Sequence, residues 1–350
     1  MFESKINIAL LFGGRSAEHE VSLLSARSIY QAFNRKKYNI FPIAISKNGF
    51  FRNLKESKRI LLGEEQEVAE VNRDNILPQS VLQFLEKEVD LVFPVLHGPY
   101  GEDGKIQGFL ETLNIKYVGC DLTASAVGMD KAVMKQIFSY YNIPQSKFKL
   151  LKKVEYNKQK LSVLFENFAE NLGLPFFLKP ANMGSSIGIS RVGDLSEFKN
   201  ALAEAFKYDK KLIIESNVRA REIESAVLGS GDKIKISAAG EIISTHDFYD
   251  YQAKYEDQST ELIIPADLSP ESKQKIEELS ARAFKAIGAE GISRLDFFVN
   301  EEEDLVLLNE INTMPGFTKF SMYPLLFEES GITYSEILDE LVELALEKGN

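Results

Sequence analysis

Arg294-Leu295-Asp296 and Glu310-Ile311-Asn312 stand in two short segments that read as the arms of a hairpin. Side chains alternate along a strand, so Arg294 and Asp296 share one face, as do Glu310 and Asn312. A turn at 300–304 can set Asp296 opposite Glu310. Like charges opposed in this way destabilise a sheet unless something cationic lies between them. Carboxylate and amide oxygens are also the hard ligands that Mg²⁺ takes, usually beside substrate phosphates. The plain alternative is a solvated polar face on an edge hairpin. Against it, strict alternation puts Phe298 and Leu308 on the same face, which implies that the face is covered.

Lys179-Pro180 precedes Asn182-Met183-Gly184-Ser185-Ser186, a small-residue loop whose backbone N–H groups could meet phosphate oxygens. Lys179, at a strand end, is in reach of the same anion. The chain has neither G-x-x-x-x-G-K-[ST] nor G-x-G-x-x-G, so a P-loop and a dinucleotide fingerprint are both unsupported. Alone, the loop would be an ordinary turn. Asn312-Thr313-Met314-Pro315-Gly316 continues directly from the oxygen ligands, and Gly316 could aim a backbone N–H at developing negative charge. Glu18, in Gly14-Arg15-Ser16-Ala17-Glu18-His19-Glu20-Val21-Ser22, suits an ammonium group or simply the start of a helix. His97 ends a strand beside Gly98, where a lone histidine is usually structural. Cys120, behind Gly119, reads as a small buried residue.

The elements that must carry these groups fall into two styles. Up to about residue 120 strands and helices alternate: strands at 6–12, 38–45, 89–96 and a short one at 117–119, with a helix at 20–33. That alternation predicts an open parallel sheet, with ligands beyond the carboxyl ends of its strands. A helix is expected at 125–141, followed by strands at 176–179 and 187–192, a helix at 195–206 and a strand at 212–215. Antiparallel strands at 221–228 and 233–237 come next, then a polar, tyrosine-rich stretch from His246 to Glu261. Long loops of that kind inside compact domains are commonly lids. A helix at 270–287, the hairpin at 293–299 and 305–312, and a helix at 334–348 complete the chain.

A length of 350 residues suggests two or three domains. Hydrophobic residues at 44% and charged residues at 27% exclude wholesale disorder. The net charge of −11, from 41 basic and 52 acidic residues, disfavours a nucleic-acid or anionic-membrane partner. One cysteine cannot support a disulfide framework, and no apolar run approaches about 18 residues. A cytoplasmic protein is the expectation.

Taken together, Gly13-Gly14-Arg15-Ser16-Ala17-Glu18, Leu96-His97-Gly98 with Gly101-Glu102-Asp103-Gly104, Met129-Asp130-Lys131, Lys179-Pro180, Gly184-Ser185-Ser186, Tyr251 with Lys254-Tyr255, and the two hairpin motifs resemble the D-alanine–D-alanine ligase family. The resemblance covers about residues 6–325 in the family's order. It implies an N-terminal parallel α/β domain (1–122) followed by a two-part ATP-grasp fold (123–217 and 218–350, the latter with metal site and lid). Asp296, Glu310 and Asn312 would hold two Mg²⁺ ions, with Mn²⁺ an alternative. Lys131, Lys179 and Lys254 would contact ATP phosphates, Glu215 the adenine and Glu222 the ribose. Glu18 would bind the first D-alanine's ammonium, with His97 near its carboxylate. Ser321 and the Met322 N–H would take the second D-alanine's carboxylate. Ser185 and Tyr255 would link with Glu18 to fasten the lid, and Arg294 with the Gly316 amide would stabilise the tetrahedral intermediate. A homodimer is expected from the family alone.

Three residues depart from the family pattern: Met314 where a small polar residue is common, Gln252 where an acid is common, and Ser216 where a lysine is frequent. Tyr255 favours an amine as second nucleophile over a hydroxy acid. Two other readings stay open: a depsipeptide or other carboxylate–amine ligase of the same fold, and a non-catalytic nucleotide- or amino-acid-binding module. Phosphate release with D-alanine against D-lactate separates the first, and any phosphate release at all excludes the second.

Overall fold

The computed structural model describes residues 5–64, 77–243 and 261–348. Its first part runs β1 (Ile6–Gly13), α1 (His19–Ala32), β2 (Tyr38–Ile45), α2 (Leu54–Leu62), α3 (Gln79–Lys87), β3 (Leu91–Val95) and α4 (Lys105–Thr112). The strands form a parallel sheet ordered β2-β1-β3. Their side chains are apolar on both faces because helices cover both. Leu23, Ile29 and Phe33 pack on one side, and Val81, Leu85, Ile106 and Leu110 on the other. The expected fourth strand at 117–119 shrinks to one bridge, Val92 to Tyr117, since Gly119 takes φ 106° and turns the chain away.

The helix expected at 125–141 is two helices, α5 (Leu122–Met129) and α6 (Lys131–Tyr140). Asp130 between them is extended, and its carboxylate caps α6 by accepting from Ala132 and Val133. Local capping by Asp thus beats continuation of the apolar periodicity. The break places Lys131 in the first turn of α6, where its ammonium donates to the Met183 carbonyl.

Next come β4 (Phe148–Lys152), α7 (Lys153–Tyr156), α8 (Leu161–Leu172), β5 (Phe176–Pro180), β6 (Ser190–Val192), α9 (Leu195–Ala205) and β7 (Lys211–Ser216). The strands form an antiparallel sheet, β4-β7-β5-β6. Alternation sends Phe176, Leu178 and Ile214 into a core with α8 and α9, where Phe168, Phe176 and Phe198 meet edge to face. Phe177, Lys179 and Glu215 point the other way. β4 and α8 were not foreseen in the sequence.

The third sheet joins β8 (Arg221–Ser230), β9 (Lys233–Ile243), β10 (Glu261–Ile263), β11 (Gly291–Asn300) and β12 (Leu305–Asn312) in the antiparallel order β10-β9-β8-β11-β12. α10 (Pro270–Ala286) covers one face: Ile276, Leu279 and Ala283 pack with Ile223, Leu295 and Phe297, and Met134 and Phe138 of α6 share that core. α11 (Met322–Glu329) and α12 (Tyr334–Glu347) then return the chain to the first sheet, burying Tyr323, Ile337 and Leu341 with Leu10 and Phe93. Among the described residues no helix is long and apolar enough to cross a membrane.

Candidate active site

The polar faces of the second and third sheets look at each other across a cleft bordered by Lys131, Lys179, Glu215, Glu222, Asp296 and Glu310, with the Met183–Ser186 backbone along one side. Alternation supplies each row: Lys179 from β5, Glu215 from β7, Glu222 and Glu224 from β8, Arg294 and Asp296 from β11. In the register, Asp296 faces Glu310 on one side and Glu224 on the other, while Arg294 faces Asn312.

A bulge interrupts that ladder after Asp296, so Phe297 pairs with Leu308 and Phe298 with Leu307. The expectation that Phe298 and Leu308 share a face is therefore corrected. The extra residue, Asn309, flips Leu308 into the core with Phe297, so that Phe298 borders the cleft and Leu308 does not. The bulge also turns both Asn309 and Glu310 toward the cavity.

The charges are tightly matched. Arg294 binds Asp296 through two bonds, Nε to Oδ1 at 2.7 Å and Nη2 to Oδ2 at 2.8 Å, and lies 3.0 Å from Glu224. Burial works against its charge, yet Asp296 and Glu224 hold the guanidinium firmly protonated. Asn312 donates its amide to Asp296 at 3.0 Å. Lys131 pairs with Glu310 at 2.9 Å and donates to the Met183 carbonyl at 3.0 Å. Glu215 is held by two lysines, Lys135 and Lys179, each at 2.6 Å. Burial opposes its charge, but the two ammonium groups keep the carboxyl well below the usual range. Burial likewise pulls Lys179 down, and Glu215 more than offsets it.

Asp296, Glu310 and the Asn312 amide oxygen form a hard-oxygen corner whose two carboxylates each draw a cation close. That donor set fits a divalent ion completed by phosphate oxygens. Among the described residues no three His, Cys, Asp or Glu side chains converge on one point.

At the other end of the cleft, Gly13 and Gly14 turn the chain from β1 toward α1. A Cβ on Gly13 would lie 2.3 Å from the Ile45 carbonyl. The turn buries Glu18, whose carboxylate accepts a short hydrogen bond from Ser185. His97 is buried, with Nε2 3.0 Å from Ser25 Oγ and Nδ1 3.0 Å from the Met314 carbonyl. Burial pushes its imidazole toward the neutral form. Glu102 accepts from the Gly98 N–H at 2.7 Å, and burial together with the Glu18 charge pushes its carboxyl up to about 8.

Ser321 caps α11 without a side-chain bond into the helix and accepts from the Thr318 N–H at 3.0 Å. Met322 is buried, and Gly316 is partly exposed beside Phe317, whose N–H reaches Ser25. These residues and His97 do not border the Lys179–Asp296 cavity. Lys254 and Tyr255, with Tyr251 and Gln252, lie outside the described residues; of the predicted 246–261 loop only Glu261 is described, opening β10. Cys120 is buried against the Glu290 carbonyl, which fits the inert reading, and burial raises its thiol to about 11.

Three residues of the site were overlooked in the sequence. Lys135 stands four positions after Lys131 on one face of α6, and Glu224 two after Glu222 on one face of a strand. Both spacings were available as signals. Glu102 sat in a motif whose histidine drew the attention.

A parallel α/β unit followed by two antiparallel units that grip a charged cleft defines an ATP-grasp protein. Family models described as D-ala D-ala ligase N-terminus and C-terminus match residues 7–120 and 137–343. The D-alanine–D-alanine ligase of Halothermothrix orenii is 47% identical over 344 residues, covering 98% of this chain and 99% of the relative. That of Geobacillus thermodenitrificans is 44% identical, covering 98% and 96%. Among solved structures, the D-alanine–D-alanine ligase of Coxiella burnetii superposes with a TM-score of 0.81 at 33% identity, covering 98% of this chain and 94% of its own. The VanG D-Ala:D-Ser ligase of Enterococcus faecalis gives 0.82 at 34%, covering 98% and 100%. The chain belongs to the D-alanine–D-alanine ligase family.

Proposed function

We propose that the protein is an ATP-dependent ligase that joins two D-alanines into D-alanyl-D-alanine for peptidoglycan precursor synthesis, with release of ADP and phosphate. The observation that carries this reading is the cleft on which Lys131, Lys179, Asp296 and Glu310 converge from four segments. Two cations there meet phosphates, and two opposed carboxylates receive a divalent ion. We take that ion to be Mg²⁺, with Mn²⁺ as a substitute, held by Asp296, Glu310 and Asn312; when bound it neutralises phosphate charge. Residues 1–122, 123–217 and 218–350 act as the three units of the enzyme, which works in the cytoplasm as a homodimer.

The carboxylate of the first D-alanine, its ammonium on Glu18, attacks the γ-phosphate of ATP and forms an acyl phosphate. This step is mainly positioning and charge neutralisation, the work of Lys131 and Lys179, with Lys254 from the lid. Glu215 and Glu222 orient the nucleoside. The second D-alanine, its carboxylate at Ser321 and the Met322 N–H, then attacks the acyl carbon through its amine. Arg294 and the Gly316 N–H face the oxyanion, His97 borders the first substrate's carboxylate, and phosphate leaves. Ser185 and Tyr255 close the lid over the acyl phosphate, which water would otherwise destroy.

The deciding experiment is phosphate release from ATP and Mg²⁺ with D-alanine, the product identified by mass. D-serine and D-lactate are run as alternative second substrates. Faster turnover of either at neutral pH would overturn the dipeptide assignment, and no phosphate release would overturn the ligase.

A further inference from the structure

Lys135 is 1% exposed and projects from α6 behind Glu215, where only Glu215, Lys179 and Ser146 of the cluster border the cleft. Its ammonium lies 2.6 Å from Glu215 Oε1 and donates to Ser146 Oγ at 3.2 Å, while Ser146 donates to the same oxygen at 3.0 Å. Lys179 holds the other oxygen, Oε2, at 2.6 Å from the cleft side. Two ammonium groups thus share one carboxylate. Burying an ammonium is costly, and an apolar side chain would often fill such a space with no loss of stability. The charge balance gives the lysine a different use.

We propose that Lys135 is a positioning residue for nucleotide binding: by neutralising Glu215 from behind, it leaves the charge of Lys179 free for the polyphosphate. Without Lys135, Glu215 and Lys179 would close into a one-to-one pair. An incoming anion would then compete with a buried carboxylate for its own binding lysine. The proposal rests on the nucleotide reading of this cleft and adds a role for a residue that touches no substrate.

The test measures binding of inorganic tripolyphosphate and of ATP by calorimetry, and KM and kcat by phosphate release. Tripolyphosphate has no base, so its affinity reports on the phosphate lysines without any contribution from the adenine, and of the described ones Lys179 is the one bonded to Glu215. Lys135→Met should weaken tripolyphosphate about tenfold or more and raise the KM for ATP similarly, with kcat at saturating ATP within about threefold. Lys135→Arg should bind like wild type. The variant carrying both Lys135→Met and Glu215→Gln removes the competing carboxylate, so it should recover tripolyphosphate affinity to within about threefold of wild type. Wild-type affinity in Lys135→Met overturns the proposal, as does a double variant no better than the single, or a wild type with no measurable affinity for tripolyphosphate. Should Lys135→Met fail to fold, Lys135→Arg and the double variant carry the decision, since weak binding by the double variant overturns it. A wild type that binds tripolyphosphate yet releases no phosphate with D-alanine counts against the ligase reading and leaves the Lys135 result standing.

Discussion

Ser185 donates its hydroxyl to the Glu18 carboxylate, a short bond that joins the β5–β6 loop to the first strand-to-helix turn across 167 positions of sequence. Ser185 and Ser186 both sit at positive φ, 48° and 57°, a strained conformation for residues with a side chain. The contact fixes the carboxylate assigned to the first substrate and one wall of the nucleotide cleft at once.

Ser185→Ala removes a hydrogen bond to a charged acceptor, an interaction worth about 1.5–3 kcal/mol. The KM for the first D-alanine should rise about tenfold or more, and the KM for ATP should change less. Initial-rate kinetics with each substrate varied in turn measures the split. Equal effects on both would show that Ser185 acts on the loop rather than through Glu18.

Glu310→Gln leaves the hairpin intact but removes half of the opposed pair. A metal-stabilised charge is worth several kcal/mol in a transition state, so kcat should fall by about a hundredfold or more. Its partner Lys131 retains the Met183 carbonyl, and the melting temperature should move by only a few degrees. Chelator should abolish wild-type turnover, with Mg²⁺ restoring it. A near-normal rate in Glu310→Gln would remove the metal from this corner.

Two glycines at similar φ separate strain from steric damage. Gly98, at φ 72°, would put a Cβ 2.5 Å from Glu18 Oε2 and 2.6 Å from Ser16 Oγ; Gly173, at φ 79°, has nothing within 4 Å. Gly173, with ψ 173°, lies in a region almost closed to side chains, so Gly173→Ala should cost about 1–3 kcal/mol of stability and no activity. Gly98→Ala should cost more and also raise the KM for D-alanine, because Glu18 must move. Denaturant titration beside kinetics tests both, and an unchanged D-alanine KM in Gly98→Ala would show that Glu18 does not need that position.

Much of the architecture could be read from the chain because apolar periodicity and glycine-marked strand ends report burial and turns directly. β2 falls at 38–45 as read, and Asp296 opposes Glu310, the pairing that the hairpin turn allowed. Part of what was missed depended on contacts distant in sequence. β4 is half-exposed and finds its place only by pairing with β7. The break at Asp130 is a capping decision inside an otherwise continuous helical pattern. Asn309 becomes a bulge only through pairing with β11, which no alternation rule foretells. Lys135 is paired with Glu215, 80 positions later, a contact that the helix pattern by itself does not show.

The sharpest pH prediction concerns Glu102. Burial, and then the neighbouring Glu18 charge, raise its carboxyl from 4.5 to about 8. Between those values the folded protein keeps a proton that the unfolded chain has released. The stability from this group is thus fully present below pH 4.5 and is lost as pH rises through about 8. His97 has the opposite slope: burial lowers it from 6.5, so the unfolded chain takes up its proton first and stability falls as pH drops below 6.5. Glu102→Gln keeps an acceptor for the Gly98 N–H and cannot ionise. Its melting temperature relative to wild type should climb by several degrees from pH 5 to pH 8.5, at about 2–4 °C per kcal/mol, while the acid limb set by His97 persists. Parallel curves for the two proteins would mean that Glu102 is already ionised at neutral pH, and that two carboxylates stand charged beside the first substrate.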